Sequence, residues 1–257
     1  INHLDGGLDR LPGGGYSRDR LDSQLDLLLG LDADIVLSTE GKGWLEDDAY
    51  LLGYIAHRLG MLPYVARAPR HDCNLVIWLR SGRFRDIAEH HELHPPFWHA
   101  QARVSTAVDG VDERLWVFAA HYSPFVPEIQ GHEAKATADL ADGRLVLGGG
   151  DFQDDGYGDP APDRSAMPAN QQLRHRHPAG QSPAEVLHTA GFTDVAAALG
   201  RREPTAGFND GAALRCDRLY TGARLAHAAR SYAVLDKGHE LSDHRIIHAE
   251  LDLSAAL

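Results

Sequence analysis

Apolar and polar positions along the chain follow two periods, one helical and one extended. From Tyr16 to Gly30 the leucines Leu21, Leu25 and Leu28 recur at helical spacing, with Ser17 placed to cap the first turn. The next segment, Asp34-Ile-Val-Leu-Ser-Thr-Glu40, is a short apolar run closed by an acid, which predicts a buried strand delivering Glu40 to its carboxyl end. A second amphipathic helix is predicted over Asp48 to Gly60, and strands over Asn74 to Leu79, Ala102 to Val108 and Leu115 to His121. The later half repeats the logic: a helix around Glu133 to Ala141, a strand from Arg144 to Leu147 leading into Gly148-Gly-Gly-Asp151-Phe152, and a helix near Pro183 to Ala190. Strands over Arg215 to Thr221, Ser231 to Leu235 and Arg245 to Leu253 close the chain. Alternation of helix and strand gives way to consecutive strands, so the fold class is α/β with a mixed sheet system. No linker or change of composition divides residues 1–257, which read as a single domain of two packed sheets with outer helices. Asp154 to Gly180 is a long Pro/Gly/Asp-rich loop bearing Arg164, Arg174, His175, Arg176 and His177. Loops of that length are often functional, the alternative being a plain surface excursion.

Composition narrows the classes. The 43% hydrophobic and 24% charged residues are those of a soluble globular protein, and no apolar run nears the ~20 residues of a membrane span. The formal charge of -12 opposes the broad positive field that non-specific duplex binding uses, so nucleic acid is a less favoured partner than a small phosphorylated molecule. Divalent cations would offset a cluster of acids. Two cysteines, Cys73 and Cys216, are too few for a disulfide framework, and free buried thiols are expected rather than a single bridge. The chain opens at Ile1 rather than at methionine, which leaves room for a removed upstream segment; the compartment read is cytoplasmic, with secretion as the alternative.

The chemistry lies at strand ends. Asn2, Glu40, His121, Asp151, Asp217 and the run Ser242-Asp243-His244 each stand next to a strand terminus, where reactive groups collect in α/β structures. Hard oxygen donors at Glu40, Asn2 and Asp243 suit Mg2+ or Mn2+, and the lack of a CxxC or HExxH pattern argues against a zinc-type site. Other candidates read as less specific. His90-His91-Glu92-Leu93-His94 matches no zinc spacing and reads as a solvated loop. Arg174-His-Arg-His177 is either an anion clamp or an exposed loop. Gly13-Gly-Gly15 lacks the lysine of a phosphate-binding loop and reads as a turn, and Cys216 reads as a packed strand residue.

The ordered set Asn2…Gly6, Asp34-Ile-Val-Leu-Ser-Thr-Glu40, Ala119-Ala-His121-Tyr-Ser-Pro124, Gly150-Asp151-Phe152, Gly191-Phe-Thr-Asp194, Glu203-Pro-Thr205, Arg215-Cys-Asp217 and Ser242-Asp243-His244 resembles the endonuclease/exonuclease/phosphatase superfamily over nearly the whole chain. The resemblance implies a four-layer α/β/β/α sandwich of two mixed sheets flanked by helices. It also implies one Mg2+ or Mn2+ ion held by Glu40, Asn2 and Asp243, with a second ion near Asp151 as the alternative. His244, oriented by Asp217, would stabilise the phosphate or act as base, Asp151 would position or deprotonate the attacking water, and His121 would protonate the leaving oxygen as in the deoxyribonuclease and sphingomyelinase branches. Substrate contacts are expected near the strand that opens at Asn74, which brings in His71 and Asn74 beside Gln153.

Two positions depart from the family pattern. Gln153 stands where the family has asparagine, about one methylene further out, and Ser38-Thr39 replace the usual Leu-Gln before Glu40. A misplacement near ~1 Å can cost on the order of 100-fold in rate, so the first departure predicts altered substrate geometry or reduced activity. The expected activity is metal-dependent hydrolysis of a phosphate diester or monoester by in-line water attack, with a sequence-tolerant nuclease and a non-catalytic ligand-binding member of the fold as alternatives.

Overall fold

The computed structural model describes residues 1–208, 211–236 and 240–256. In chain order the elements are a hairpin of β1 (Asp9–Arg10) and β2 (Tyr16–Ser17), α1 (Asp19–Gly30), β3 (Ile35–Ser38), α2 (Tyr50–Leu59), β4 (Met61–Ala66), β5 (Leu75–Arg80), β6 (Phe84–Glu89), β7 (Gln101–Val108) and β8 (Val111–His121). Then come α3 (Pro127–Ala138), β9 (Leu145–Asp151), α4 (Ala169–Leu173), α5 (Pro183–Thr189), β10 (Thr193–Asp194), α6 (Val195–Ala198), β11 (Asp217–Thr221), β12 (Ala229–Leu235) and β13 (Ile246–Leu251).

Strands buried on both faces create the layers. In β5, Leu75, Ile77 and Leu79 enter one core with Val104, Leu115, Val117 and Leu147, while Val76 and Trp78 enter another with Leu21, Leu25 and Ile55 of the helices. The same alternation in β8 sends Leu115, Val117 and Ala119 to the first core and Phe118 and Ala120 to a third, shared with Ala134 and Leu187. Side chains alternate faces with period 2, so each such strand glues a sheet to the other sheet on one side and to helices on the other. The result is an α/β sandwich: α1 and α2, the sheet β3-β5-β4, the six-stranded sheet β10-β11-β9-β8-β7-β6, then α3 and α5.

The six-stranded sheet is mixed through the parallel pair β8–β9. The β3-β5-β4 sheet is antiparallel, and its parallel contact is an isolated bridge between Asn2 and Thr39. Strands β12 and β13 pair with each other, and a cavity of about 710 Å3 lies between β13 and β3. That cavity is lined by Gly150 and Asp217 and not by Glu40, His121 or His244.

Several predicted boundaries move. Helix α1 begins at Asp19 because Tyr16 and Ser17 pair with β1, although the Ser17 hydroxyl still accepts the Asp19 N–H at 3.1 Å. Helix α3 begins at Pro127, whose fixed φ suits a first helical position, and β9 runs on through the glycines to Asp151. Strands β4 and β6, which the sequence pattern does not indicate, each lie at one edge of their sheets. Cys73 and Cys216 are free and buried, and among the described residues no helix is long and apolar enough to cross a membrane.

Candidate active site

Sheet register aligns the central side chains. In the parallel pair β8–β9, His121 lies opposite Asp151, and in the antiparallel pair β9–β11, Asp217 lies opposite the same Asp151. Three neighbouring strands thus end in a row His121, Asp151, Asp217 on one face, continuing the parity of Leu115, Val117 and Ala119 that faces the other sheet. His244, arriving just before β13, closes the row: its Nδ1 is 2.7 Å from Asp217 Oδ2 and its Nε2 is 3.8 Å from Asp151 Oδ2. His121 Nε2 stands 3.6 Å from that same Asp151 oxygen.

The close approach of β9 to its neighbours depends on Gly148-Gly-Gly150. A Cβ at Gly148 would lie 2.3 Å from the Phe118 ring, and one at Gly150, whose φ is +143°, would lie 1.9 Å from the Ala120 carbonyl oxygen. Asp217 is fixed from behind by Thr205, whose hydroxyl accepts the Asp217 N–H at 3.0 Å while its carbonyl accepts the Arg245 N–H at 2.7 Å. The Glu203-Pro-Thr205 motif therefore ties β11 to the entry of β13.

Burial and charge set the protonation states. Burial works against a charged His244, but Asp217 and Asp151 overcome it and raise its pKa to about 10, making it an imidazolium at neutral pH. Burial, and then the neighbouring Asp217 charge, push the Asp151 carboxyl up, opposed by His244 and His121. Asp217 goes the other way: burial would raise it, but the charge and hydrogen bond of His244 and the bond from Thr205 hold it down. The arrangement is one firmly ionised acid, one fixed cation and one buried acid of raised proton affinity, which can serve as a base beside a charged donor.

Glu40 comes from beyond the end of β3, at φ +58°. Burial alone would raise its carboxyl, yet His121, Lys42 and donors from Asn2 and Asp5 bring it down to about 2. Asn2 Nδ2 donates to Glu40 Oε1 at 3.2 Å, and the Asp5 N–H donates to Oε2 at 3.3 Å. Asn2 is held in turn by its own Oδ1, which accepts the Leu4 N–H at 2.9 Å. The two chain ends are clamped by α1: Arg20 donates to the Leu4 carbonyl at 2.9 Å and the Leu8 carbonyl at 2.8 Å, and Gln24 donates to the Leu241 carbonyl at 2.8 Å.

Whether this corner fits a divalent ion can be asked of its donors. Glu40 is ionised, and the Lys42 ammonium lies 3.6 Å from its Oε2 and 2.5 Å from Asp5 Oδ1, so two carboxylates converge on a place for positive charge. Among the described residues no three His, Cys, Asp or Glu side chains are grouped so as to hold a metal ion by themselves, so an ion at Glu40 would have to complete its shell with other oxygens. A sparse set of hard oxygens fits Mg2+ or Mn2+, which keep waters and take phosphate oxygens, better than it fits a closed zinc site.

The remaining sequence-predicted residues fall in distinct places. Asp243 is exposed, acts on His244 through its charge, and lines a pocket of about 120 Å3 with Gln153, Arg174 and His244. Gln153, at φ +57°, turns back on Asp151: its N–H donates to Oδ1 at 3.0 Å and its side-chain amide to Oδ2 at 2.5 Å. Its amide is engaged with the buried acid rather than free to reach outward, the longer side chain having curled over a left-handed backbone. Asn74 is buried, donates to Asp72 and to the Gly41 carbonyl at 3.1 Å, and accepts the Ala68 N–H at 3.0 Å. It is a pin for the 68–74 loop, on which His71 is exposed, and not itself a surface for substrate. In the 90–94 cluster, His90 bonds Ser105 and His91 bonds Glu89, so these rings serve β6 and β7.

Sequence reasoning missed Asp5, Lys42 and His99. Asp5 stands inside the quoted Asn2…Gly6 motif, and its acid before Gly6 was a usable signal. The His99 ring stacks on that of His121 with centroids 4.4 Å apart, and burial followed by the His121 charge holds it near a pKa of about 2, hence neutral. Nothing around His99 in the sequence foretold that contact.

No family model and no curated protein sequence matches the chain. Solved structures match its fold over most of its length. An endonuclease/exonuclease/phosphatase family protein from Leptotrichia buccalis aligns with a TM-score of 0.64 at 12% identity, covering 91% of this chain and 93% of that one. The mannosyl-6-phosphatase of Bacteroides thetaiotaomicron gives 0.63 at 12% identity, covering 90% of each. The 3' phosphatase NExo from Neisseria, bound to a product DNA hairpin, gives 0.62 at 17% identity over 91% and 94%. The chain therefore has the fold of the endonuclease/exonuclease/phosphatase superfamily, the one its motif order resembles. Its structural neighbours are phosphoesterases and nucleases, acting on substrates as different as a sugar phosphate and DNA.

Proposed function

We propose that the protein is a divalent-metal-dependent phosphoesterase that hydrolyses a small or medium-sized phosphorylated molecule by in-line attack of water. The observation that carries this reading is the row His121, Asp151, His244 and Asp217, with both imidazoles within 4 Å of one buried carboxylate oxygen and Glu40 ionised beside His121. Glu40, with Asp5 converging beside it, would hold Mg2+ or Mn2+, which would offset negative charge on the phosphate oxygens; the superfamily resemblance adds Asn2 and Asp243 to that set. Asn2 contributes chiefly by fixing the Glu40 carboxylate.

The chain's own groups account for the proton movements. Asp151 takes a proton from the attacking water, whose oxygen forms the new bond to phosphorus. The bond from phosphorus to the leaving oxygen breaks with its electron pair, and that oxygen takes a proton from His121 in its imidazolium form. His244, kept charged by Asp217, donates to a non-bridging oxygen as charge builds there. The 3.6 Å between His121 and Asp151 lets the collected proton return to His121 for the next turnover.

Turnover of bis-p-nitrophenyl phosphate and p-nitrophenyl phosphate with Mg2+ or Mn2+ tests the reading. Hydrolysis should fall by roughly 100- to 10,000-fold in His244→Ala and at least as far in Glu40→Ala. No turnover of either ester by the intact protein, with metal still bound, would favour a binding protein on the same fold. Nicking of plasmid DNA would instead move the substrate to nucleic acid, against the expectation from the charge of -12.

A further inference from the structure

A wall of rings runs outward from His121. His99 stacks on it, His71 lies 6.3 Å edge-on from His99, Trp98 is 6.3 Å from His71 with planes 21° apart, and Phe125 is 5.9 Å from Trp98. The outer end is open: Phe125 is 46% exposed and His71 is exposed. Two guanidinium groups flank it, Arg70 at 4.2 Å over Trp98 and Arg174 at 4.9 Å over Phe125, and Arg174 also lines the small pocket beside Gln153 and His244.

This wall is built into the fold rather than draped on it. The buried Glu133 carboxyl group accepts the Trp98 N–H at 2.6 Å and the Ser123 N–H at 2.8 Å, locking the Trp98 and Phe125 loops to α3. Asn74 locks the loop that carries Arg70 and His71. Apolar ring faces held rigidly beside cations, in a chain of charge -12, suit a planar ring attached to an anion.

Resting on the phosphoesterase reading, we infer that this wall seats the leaving group, and that the alcohol released carries a planar aromatic ring, whether a nucleoside base or an aryl group. His121 protonates the leaving oxygen, so whatever departs must lie on the His121 side, where Trp98 and Phe125 reach the surface while His99 stays buried behind them. The bond balance is that of hydrolysis: water oxygen joins phosphorus, the ring-bearing alkoxide leaves with the electron pair, and His121 supplies its proton.

Benzyl methyl phosphate offers two alcohols of similar intrinsic leaving ability, so the product identity reports which group lay against His121. The wild type with Mn2+ should release benzyl alcohol and methyl phosphate over methanol and benzyl phosphate by about tenfold, which corresponds to ~1.4 kcal/mol of stacking. Phe125→Ala and Trp98→Ala should bring the ratio toward one, and Trp98→Phe should keep most of it. Phe125 is exposed enough that its variant tests the idea even if Trp98→Ala folds poorly. The same assay on the thymidine methyl phosphate diester separates a nucleoside preference from a general aryl one. Equal or preferred release of methanol from both diesters, or a ratio unmoved in the variants, overturns the inference. So does failure to cleave either diester while bis-p-nitrophenyl phosphate is hydrolysed. Failure on all three and on p-nitrophenyl phosphate removes the phosphoesterase reading, and this inference with it; failure on the three diesters with p-nitrophenyl phosphate still hydrolysed overturns the inference alone.

Discussion

At the scale of single residues, the protonation of His244 controls the chemistry, and Asp217 controls His244. The folded state binds the His244 proton with a pKa of about 10, against about 6.5 for a free histidine. A raised pKa stabilises the fold fully below the unfolded value and loses that contribution as pH rises through the folded one, so the window runs from about 6.5 to about 10. Denaturation midpoints of the wild type should decline across that window, and those of Asp217→Asn should decline less. The same variant should lower kcat/KM by roughly 100-fold and draw the alkaline limb of its pH profile toward neutrality. An unchanged profile in Asp217→Asn would separate His244 from the reaction. Most of these residues were legible because each ends a strand and several stand in short motifs of fixed order. The engagement of Gln153 was not, since it depends on a left-handed backbone at that position rather than on side-chain length. Nor was the retreat of Asn74 into the fold, where its amide serves Asp72, Gly41 and Ala68.

At the scale of elements, β9 is the strand on which register and chemistry meet. Gly150→Ala would place a methyl group against the Ala120 carbonyl at a φ that L residues rarely adopt, and should destabilise by more than about 4 kcal/mol in urea unfolding. Because His121 is opposite Asp151, it should also abolish activity in whatever fraction folds. Gly53→Ala is the contrast: it lies in α2 with open space around it, and should stabilise by about 0.5–1 kcal/mol. A Gly150→Ala protein as stable and active as the wild type would show that the strands can part without loss. The central strands were readable because burial on both faces makes continuous apolar runs. Strands β4 and β6 were not, and both are edges. Pro63 interrupts β4 and Arg85, Asp86 and Glu89 occupy β6, the residues that keep an exposed edge from pairing with another chain.

At the scale of the whole molecule, the sandwich brings residues 2 and 40 to residues 217 and 244. Neither end could do this alone. Arg20 and Gln24 on α1 hold the carbonyls of both the N-terminal loop and Leu241, contacts that span 217 to 221 positions and leave no mark in local pattern. The order of motifs along the chain carries the fold, whereas these clamps and the ring wall beside His121 arise only from long-range packing. The most direct measurement of the central claim is a crystal soaked with Mn2+ and inorganic phosphate, read by anomalous scattering. The account predicts manganese on the Glu40 carboxylate and phosphate between His121 and His244, with Asp151 within hydrogen-bond reach of a water in line with phosphorus. Manganese bound away from Glu40, or phosphate that leaves both imidazoles untouched, would contradict it.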